Sequence, residues 1–528
     1  MTLAVALIYF AVLIIGAGIY AMRKVKTSGD FTSAEGQGGM SWIFITCSFV
    51  LIPLGSGHSM SLWEQSYGPL GGGALLWALA VGAIFLPIMM LFFGPLARST
   101  GFKTFPEITK AMYGRVFGWL HAAISASSLS GIIAAELIGT GVAIYALSGG
   151  SAGPFADNMK LPVIIAFVFA LLYIFFGGFL QMAWINIVNA IMLIAGSFAA
   201  LIGVVIWLGE NYEFGGKSGL AGVAAFYASD PATNDTVNSF GAIIGEYKLN
   251  QFANLLSGNT LLDIFIPVTL LHLCSIAVSQ GHNMPFFAAR SNKDIRKGVY
   301  LASGINAISA VPWVAIGLVA VAVPAVMGNV GSEVGKLLVP EAALAMLPAP
   351  ITGLLMISLL SATLSTAASI TLGAAQQVTT SIIKDAVKPD MSDKTQLLTT
   401  RIMCLVYLLI CLVMALNLPV IMPVFFFCFM LSIPLFFCYV TGMFITINKV
   451  TCYLTLIVGY IFAFWWTFAP PANAPYPFDA NGTTYVVVLS SFIVGMVIPL
   501  FLSKTGAHTP LRKIIKDARG EVAEQLSV

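Results

Sequence analysis

The sequence predicts an all-α integral membrane protein with about thirteen transmembrane helices, and three observations predict it. Of its 528 residues, 58% are hydrophobic and 9% charged, with a mean hydropathy of +0.92; soluble domains average about 45–50% apolar and about 25% charged. The apolar excess falls into runs of roughly 20 residues, the length that crosses a hydrocarbon core. The basic residues sit between those runs on alternate sides. With the N-terminus placed outside, all of the 25 Lys and Arg except Lys160, Lys217, Lys248 and Lys336 lie inside, as the positive-inside rule requires. So much apolar surface needs lipid, which excludes a water-soluble globule. A formal net charge of +3, with the basic residues scattered between apolar runs, excludes nucleic-acid binding.

The spans are expected at about 3–22, 41–66, 72–96, 118–147, 161–178, 180–209, 261–288, 299–325, 350–383, 402–418, 420–446, 452–470 and 484–503. The first has no basic residues before it, while Arg23, Lys24 and Lys26 follow it. It therefore reads as an uncleaved helix with its N-terminus outside rather than a signal peptide. The stretch 210–260 carries Glu210, Glu213, Asp230, Asp235 and Glu246 against Lys217 and Lys248 and reads as an extracellular cap over a pathway. The tail 504–528 alternates charge with Leu, Ile and Val, as in a cytoplasmic helix near the membrane surface. Cys47, Cys274, Cys404, Cys411, Cys428, Cys438 and Cys452 lie in apolar stretches without metal or disulfide spacing and read as small packing residues. No phosphate-binding loop and no soluble module is visible, so neither ATP use nor enzyme chemistry is expected. The expected setting is the cytoplasmic membrane, with lipid, a small solute and an ion as partners and no obligate protein partner.

Two spans carry interruptions. Val50-Leu51-Ile52-Pro53-Leu54-Gly55-Ser56-Gly57-His58-Ser59 places a proline and two glycines inside an apolar run. Unpaired backbone at membrane depth survives only where it lines a cavity or holds an ion, the other reading being a plain proline kink. In the seventh span Ser275, Ser279, Gln280, Gly281, His282 and Pro285 follow the apolar run from Ile264. Each interruption opens a set of five spans, 41–209 and 261–446, which suggests an inverted repeat. It is flanked by an N-terminal unit 1–40, the loop 210–260 and two further spans within 447–503. The ninth span holds Ser361-Ala362-Thr363-Leu364-Ser365-Thr366-Ala367-Ala368-Ser369, in which Ala362, Ser365, Thr366 and Ser369 share one helical face. Small hydroxyls of this kind serve as glue between helices or as ligands of a hard cation.

At these residues the sequence resembles the sodium:solute symporter family over about residues 10–450. The resemblance rests on Thr104-Phe105-Pro106-Glu107, on Tyr173 with Gly177-Gly178, on Ala288-Ala289-Arg290 with Asp294 and Lys297-Gly298, and on Leu364-Ser365-Thr366 followed by Lys384-Asp385. It implies a LeuT-type fold of five plus five inverted helices, with one helix added before and two after. It also implies a coupling sodium held by the carbonyls of Phe49, Ile52 and Ala362 and the hydroxyls of Ser365 and Thr366, with no other cofactor. Many members carry an aspartate where this chain has Asn186; its absence implies one sodium rather than two.

The solute is not legible. Glu136 is a carboxyl in the middle of an apolar span, expensive unless it faces the bundle interior and finds a partner. His272 and Ser275 project from the seventh span, and Ser56 and His58 lie at the first interruption; these five are the candidate substrate residues. The expected function is sodium-coupled symport of a small organic solute by alternating access. The rivals are proton coupling through Glu136 or His272 and a transporter-like solute sensor. A channel is disfavoured by the lack of a charge ring or filter repeat.

Overall fold

A computed structural model of the chain describes residues 2–52, 59, 62–63, 66, 74–79, 82, 86–156, 158–228, 262, 266–323, 335–417, 421–479, 482–502 and 507–525. Nearly all of these are helical. Helix α1 (Thr2–Lys24) shows how lipid shapes the elements. Ala6, Phe10 and Ile14 are buried against the protein, while Val5, Ile8, Val12 and Ile15 are exposed on the opposite stripe. An apolar residue facing outward at that spacing is stable only in hydrocarbon.

After α2 (Ser28–Ser33), helix α3 (Trp42–Leu51) opens the first of the interrupted spans. Its entry is clamped by backbone bonds from Met40 N to the Ala288 carbonyl, 2.7 Å, and from Arg290 N to the Met40 carbonyl, 2.9 Å. Asp294 accepts Trp42 N at 3.1 Å, and the Lys297 ammonium lies 3.8 Å from the Trp42 ring centroid. The Ala-Ala-Arg and Lys-Gly motifs are thus the socket for the start of α3. Helix α4 (Leu86–Arg98) follows, and then Thr104 and Glu107 form a reciprocal capping box that starts α5 (Phe105–Tyr113).

The long helices α6 (Arg115–Leu147), α7 (Lys160–Phe175) and α8 (Gly178–Asn211) come next. The turn between α7 and α8 needs its glycines: Gly178 has φ +54°, and a Cβ there would meet the Phe31 carbonyl at 2.1 Å. The second interruption is present. Helix α9 (Ile266–Ala277) ends, Ser279 caps the next helix through His282 N, and α10 (Gln280–Ala288) continues. Helices α11 (Asn292–Val319) and α12 (Ala349–Val378) follow, the latter running on as a π-helix over Thr379–Val387. Helix α12 is buried along almost its whole length and packs on α3, α6, α8 and α10. Helix α13 (Asp393–Asn417) precedes a third interruption that the sequence reading had as one continuous span, where α14 (Ile421–Met430) gives way at Leu431 and Ser432 to α15 (Ile433–Phe444). Helices α16 (Lys449–Phe468), α17 (Thr483–Phe492) and α18 (Leu511–Gln525) complete the chain.

Among the described residues nine helices are long and apolar enough to cross a membrane. At the expected spans 41–66 and 161–178 the described residues form the shorter apolar helices Trp42–Leu51 and Lys160–Phe175, and the described part of 261–288 is divided into α9 and α10.

Candidate functional site

The first and second interrupted spans meet α12 through α3 and α10. Its Thr366 hydroxyl lies 3.0 Å from the Leu51 carbonyl, 3.1 Å from the Ile52 carbonyl and 3.0 Å from the Ala362 carbonyl. One hydroxyl has one proton. It can satisfy one of these carbonyls at a time, so the nook holds an excess of oxygen acceptors. Leu51 and Ile52 also form the C-terminal end of α3, where the helix dipole concentrates negative charge. All four residues are buried to 2% exposure or less. Such an arrangement suits a small hard cation that accepts several neutral oxygens.

Three of the five expected sodium residues, Ile52, Ala362 and Thr366, are therefore brought together, and Leu51 joins them. The other two are engaged elsewhere. The Phe49 carbonyl accepts the Asn306 amide at 2.9 Å, because Phe49 lies within α3 and its carbonyl points toward α11. The Ser365 hydroxyl donates to Asn186 Oδ1 at 2.8 Å, toward α8. Ser369, one turn along α12, donates to the Gly281 carbonyl at 2.9 Å, joining the same face to the start of α10.

A polar relay extends from Ser365. Asn186 Oδ1 also accepts the Tyr173 hydroxyl at 2.8 Å, Asn189 Nδ2 donates to the Tyr173 oxygen at 2.9 Å, and the Tyr9 hydroxyl donates to Asn189 Oδ1 at 3.1 Å. Asn186 Nδ2 donates to Ser48 Oγ at 3.3 Å. The position of the family's aspartate is thus filled by an amide whose neighbours are all uncharged.

The second and third interruptions gather a different set. Ser275 Oγ donates to the Phe429 carbonyl at 2.6 Å. The His272 and His282 rings stand at 5.3 Å and 6.2 Å from the Phe429 ring, edge-on, and His282 Nδ1 pairs with Ser279 Oγ at 2.8 Å. Ser432, at the third interruption, donates to Ser128 of α6 at 2.8 Å. Glu136 is buried on α6, the one carboxyl buried in mid-span among the described residues. Ser56 and His58 lie outside the described residues. Sequence reasoning missed Phe429 and gave His282 no role; the only signal was Pro434, two residues after Ser432, which marks a helix start.

A polar cavity of about 430 Å³ lies at the end of the molecule that carries Lys103, Lys110 and Asp385. Asp385 accepts Lys110 at 2.5 Å, Arg115 at 3.1 Å and the Trp119 indole at 2.9 Å, and Lys103 pairs with Glu35 at 2.7 Å.

Residues 34–446 match the sodium:solute symporter family. Among solved structures, the chain is similar to a sodium-coupled sialic acid symporter in a substrate-bound outward-open state, reported with a novel sodium site. The TM-score is 0.73 at 14% identity, covering 96% of this chain and 98% of that one. It is also similar to a nucleobase-cation-symport-1 family transporter in a closed conformation with bromovinylhydantoin bound, with TM-score 0.55 and 12% identity over 91% and 97% of the two chains. At these identities the likeness establishes a shared fold.

Proposed function

The chain belongs to the sodium:solute symporter family, and from that premise we propose that it carries a small organic solute inward across the cytoplasmic membrane with one sodium ion, by alternating access. It is a multi-pass membrane transporter and not an enzyme. The observation that carries the sodium reading is the nook of three main-chain carbonyls and one hydroxyl at Leu51, Ile52, Ala362 and Thr366. Ser365 completes the set from the neighbouring turn. Phe49 belongs to it through the end of α3 and comes into play as that end shifts. One sodium rather than two follows from the uncharged surroundings of Asn186. Sodium entry supplies about 2.3 kcal/mol per charge at 100 mV, enough to hold more than a tenfold solute gradient.

The residues we assign to the solute are His272, Ser275 and Glu136, together with Ser56 and His58 of the first interruption. The two inverted repeats are 41–209 and 261–446, and the basic end of the molecule faces the cytoplasm, which the Lys and Arg distribution supports. Sodium bound between α3 and α12 preorganises the solute site, so that the two ligands bind cooperatively.

The test is thermal unfolding of the purified protein against a solute library, in sodium and in choline at matched ionic strength. A solute that stabilises only in sodium is expected, and Thr366→Ala and Ser365→Ala should lose the sodium response while keeping their midpoints in choline. Stabilisation that ignores sodium and follows pH would transfer the coupling to Glu136 or His272. Solute binding without flux in proteoliposomes would make the chain a sensor.

A further inference from the structure

We infer that Tyr9, Asn189, Tyr173 and Asn186 form a positioning relay that turns the Ser365 hydroxyl into an obligate acceptor for the coupling sodium, and so makes α1 part of the coupling machinery. The inference rests on the sodium site proposed above. Helix α1 precedes the residues that match the family, which begin at residue 34.

A serine in a helix ordinarily hands its proton to a carbonyl three or four residues back. Thr366 does this with Ala362. Ser365 does not: its proton goes to Asn186 Oδ1 at 2.8 Å. With that proton committed, the Ser365 oxygen keeps only lone pairs to offer any third partner. If Asn186 turned away, Ser365 would bond back onto its own helix at Ser361 or Ala362, and the Ala362 carbonyl belongs to the nook. The sodium site would then lose an oxygen and gain a competing proton.

Asn186 is held by Ser48 of α3, which accepts its amide at 3.3 Å, and by the rest of the relay. Its Oδ1 receives the Tyr173 proton, the Tyr173 oxygen receives the Asn189 amide, and Asn189 Oδ1 receives the Tyr9 proton. The hydroxyl protons of Tyr9, Tyr173 and Ser365 point from α1, α7 and α12 toward acceptors on α8, and the Asn189 amide closes the link. Tyr173, Asn186, Asn189 and Ser365 are fully buried. Packing alone would hold α1 through its apolar stripe, and polar groups so deep in a membrane protein are costly unless each is satisfied. Four helices α1, α7, α8 and α12 meet through this one series of side chains.

The experiment titrates sodium against the melting midpoint of the purified full-length chain, with choline holding ionic strength constant. Each variant keeps its aromatic ring. Tyr173→Phe should raise the half-saturating sodium concentration about three- to tenfold and Tyr9→Phe about two- to threefold, the range of one lost hydrogen bond attenuated with distance. The double variant should resemble Tyr173→Phe alone, since elements in series are not additive. Removing either hydroxyl leaves a buried polar group short of a partner, so midpoints in choline should fall, and the midpoints in sodium should fall further. Unchanged half-saturation, independent additive effects, or equal losses of midpoint in sodium and choline would each overturn the relay. Should Tyr173→Phe fail to fold, Tyr9→Phe at the edge of the bundle decides the matter by itself. Thr366→Ala separates the two levels. If it abolishes the sodium response while Tyr9→Phe and Tyr173→Phe change nothing, the site stands and the relay falls; if it leaves the response intact, the site falls and the relay with it.

Discussion

Asn186 differs from an aspartate by one atom and one charge, and the one-sodium stoichiometry proposed above turns on that difference. As an amide it accepts two hydroxyl protons, from Tyr173 and Ser365, and returns one to Ser48, so it is satisfied without a cation. Asn186→Asp keeps the two acceptor contacts and adds a negative charge in a low-dielectric setting, where it must attract a cation or a proton. The groups facing it, Ser48 of α3, Ser365 of α12 and Tyr173 of α7, are uncharged. Protonation would cancel the added charge, so the variant should bind sodium more tightly as pH rises and lose that gain as pH falls. We expect a several-fold lower half-saturating sodium concentration at high pH and a steeper sodium dependence of uptake. A variant whose sodium dependence matches the unaltered protein at every pH would show that the amide does not limit the ion count.

Helix α12 meets α10 through glycines. A Cβ at Gly373 would stand 2.4 Å from the Gly281 Cα and 2.5 Å from its nitrogen, so the two backbones touch without side chains between them. Gly373→Ala must push the helices apart, since the obstructing atoms are main-chain. Because Ser369 bonds the Gly281 carbonyl one turn away, the displacement also pulls at the sodium face. We expect a fall in melting midpoint of several degrees and loss of sodium-stimulated uptake, whereas Gly304→Ala, which meets no atom within 4 Å, should be silent in both measurements. Indistinguishable behaviour of the two variants would refute the close contact. This helix was the most legible in the sequence, because a run of small hydroxyls in a spanning segment has few purposes. Ala362, Ser365 and Thr366 followed from it by the motif of the resemblance, and Ile52 followed by position in the first interrupted span. Leu51 did not, and Phe49 was expected instead. Which carbonyls face inward depends on where α3 stops, and an apolar run ending at Pro53 does not specify that to one residue. The Leu431–Ser432 interruption was illegible for a related reason: Pro434 in an apolar stretch reads equally as a tolerated kink. His272 and Ser275 were visible as polar residues, but their meeting with Phe429 needs that interruption.

At the scale of the molecule, the basic end carries a charged cluster that joins separate helices. Asp385, within the π-helix that extends α12, holds Lys110 of α5 with Arg115 and Trp119 of α6, while Glu35 beside α2 holds Lys103. Gln280 of α10 reinforces the closure without charge, accepting Phe105 N and donating to the Lys103 carbonyl and Gln376. Glu35, Lys103, Lys110, Gln376 and Asp385 line the 430 Å³ cavity, and under the alternating-access reading proposed above this cluster is the closure at that end. A transporter that alternates must open this end once per cycle, so the strength of the closure sets how often the inward state is visited. Each ion pair is partly exposed and solvent-screened; the cluster contributes about 1–2 kcal/mol to the closed state. Asp385→Asn removes the charge that three partners share, and should raise the population open at this end by about five- to thirtyfold. A cysteine introduced at Thr380, on the cavity wall, reports that opening: its modification by a thiol reagent applied from the cytoplasmic side should accelerate by that factor in Asp385→Asn. Sodium should slow it again if the ion favours the closed end. Equal modification rates with and without Asp385 would mean that Gln280 and the helix contacts keep this end shut unaided, and that the ion pairs only decorate its surface.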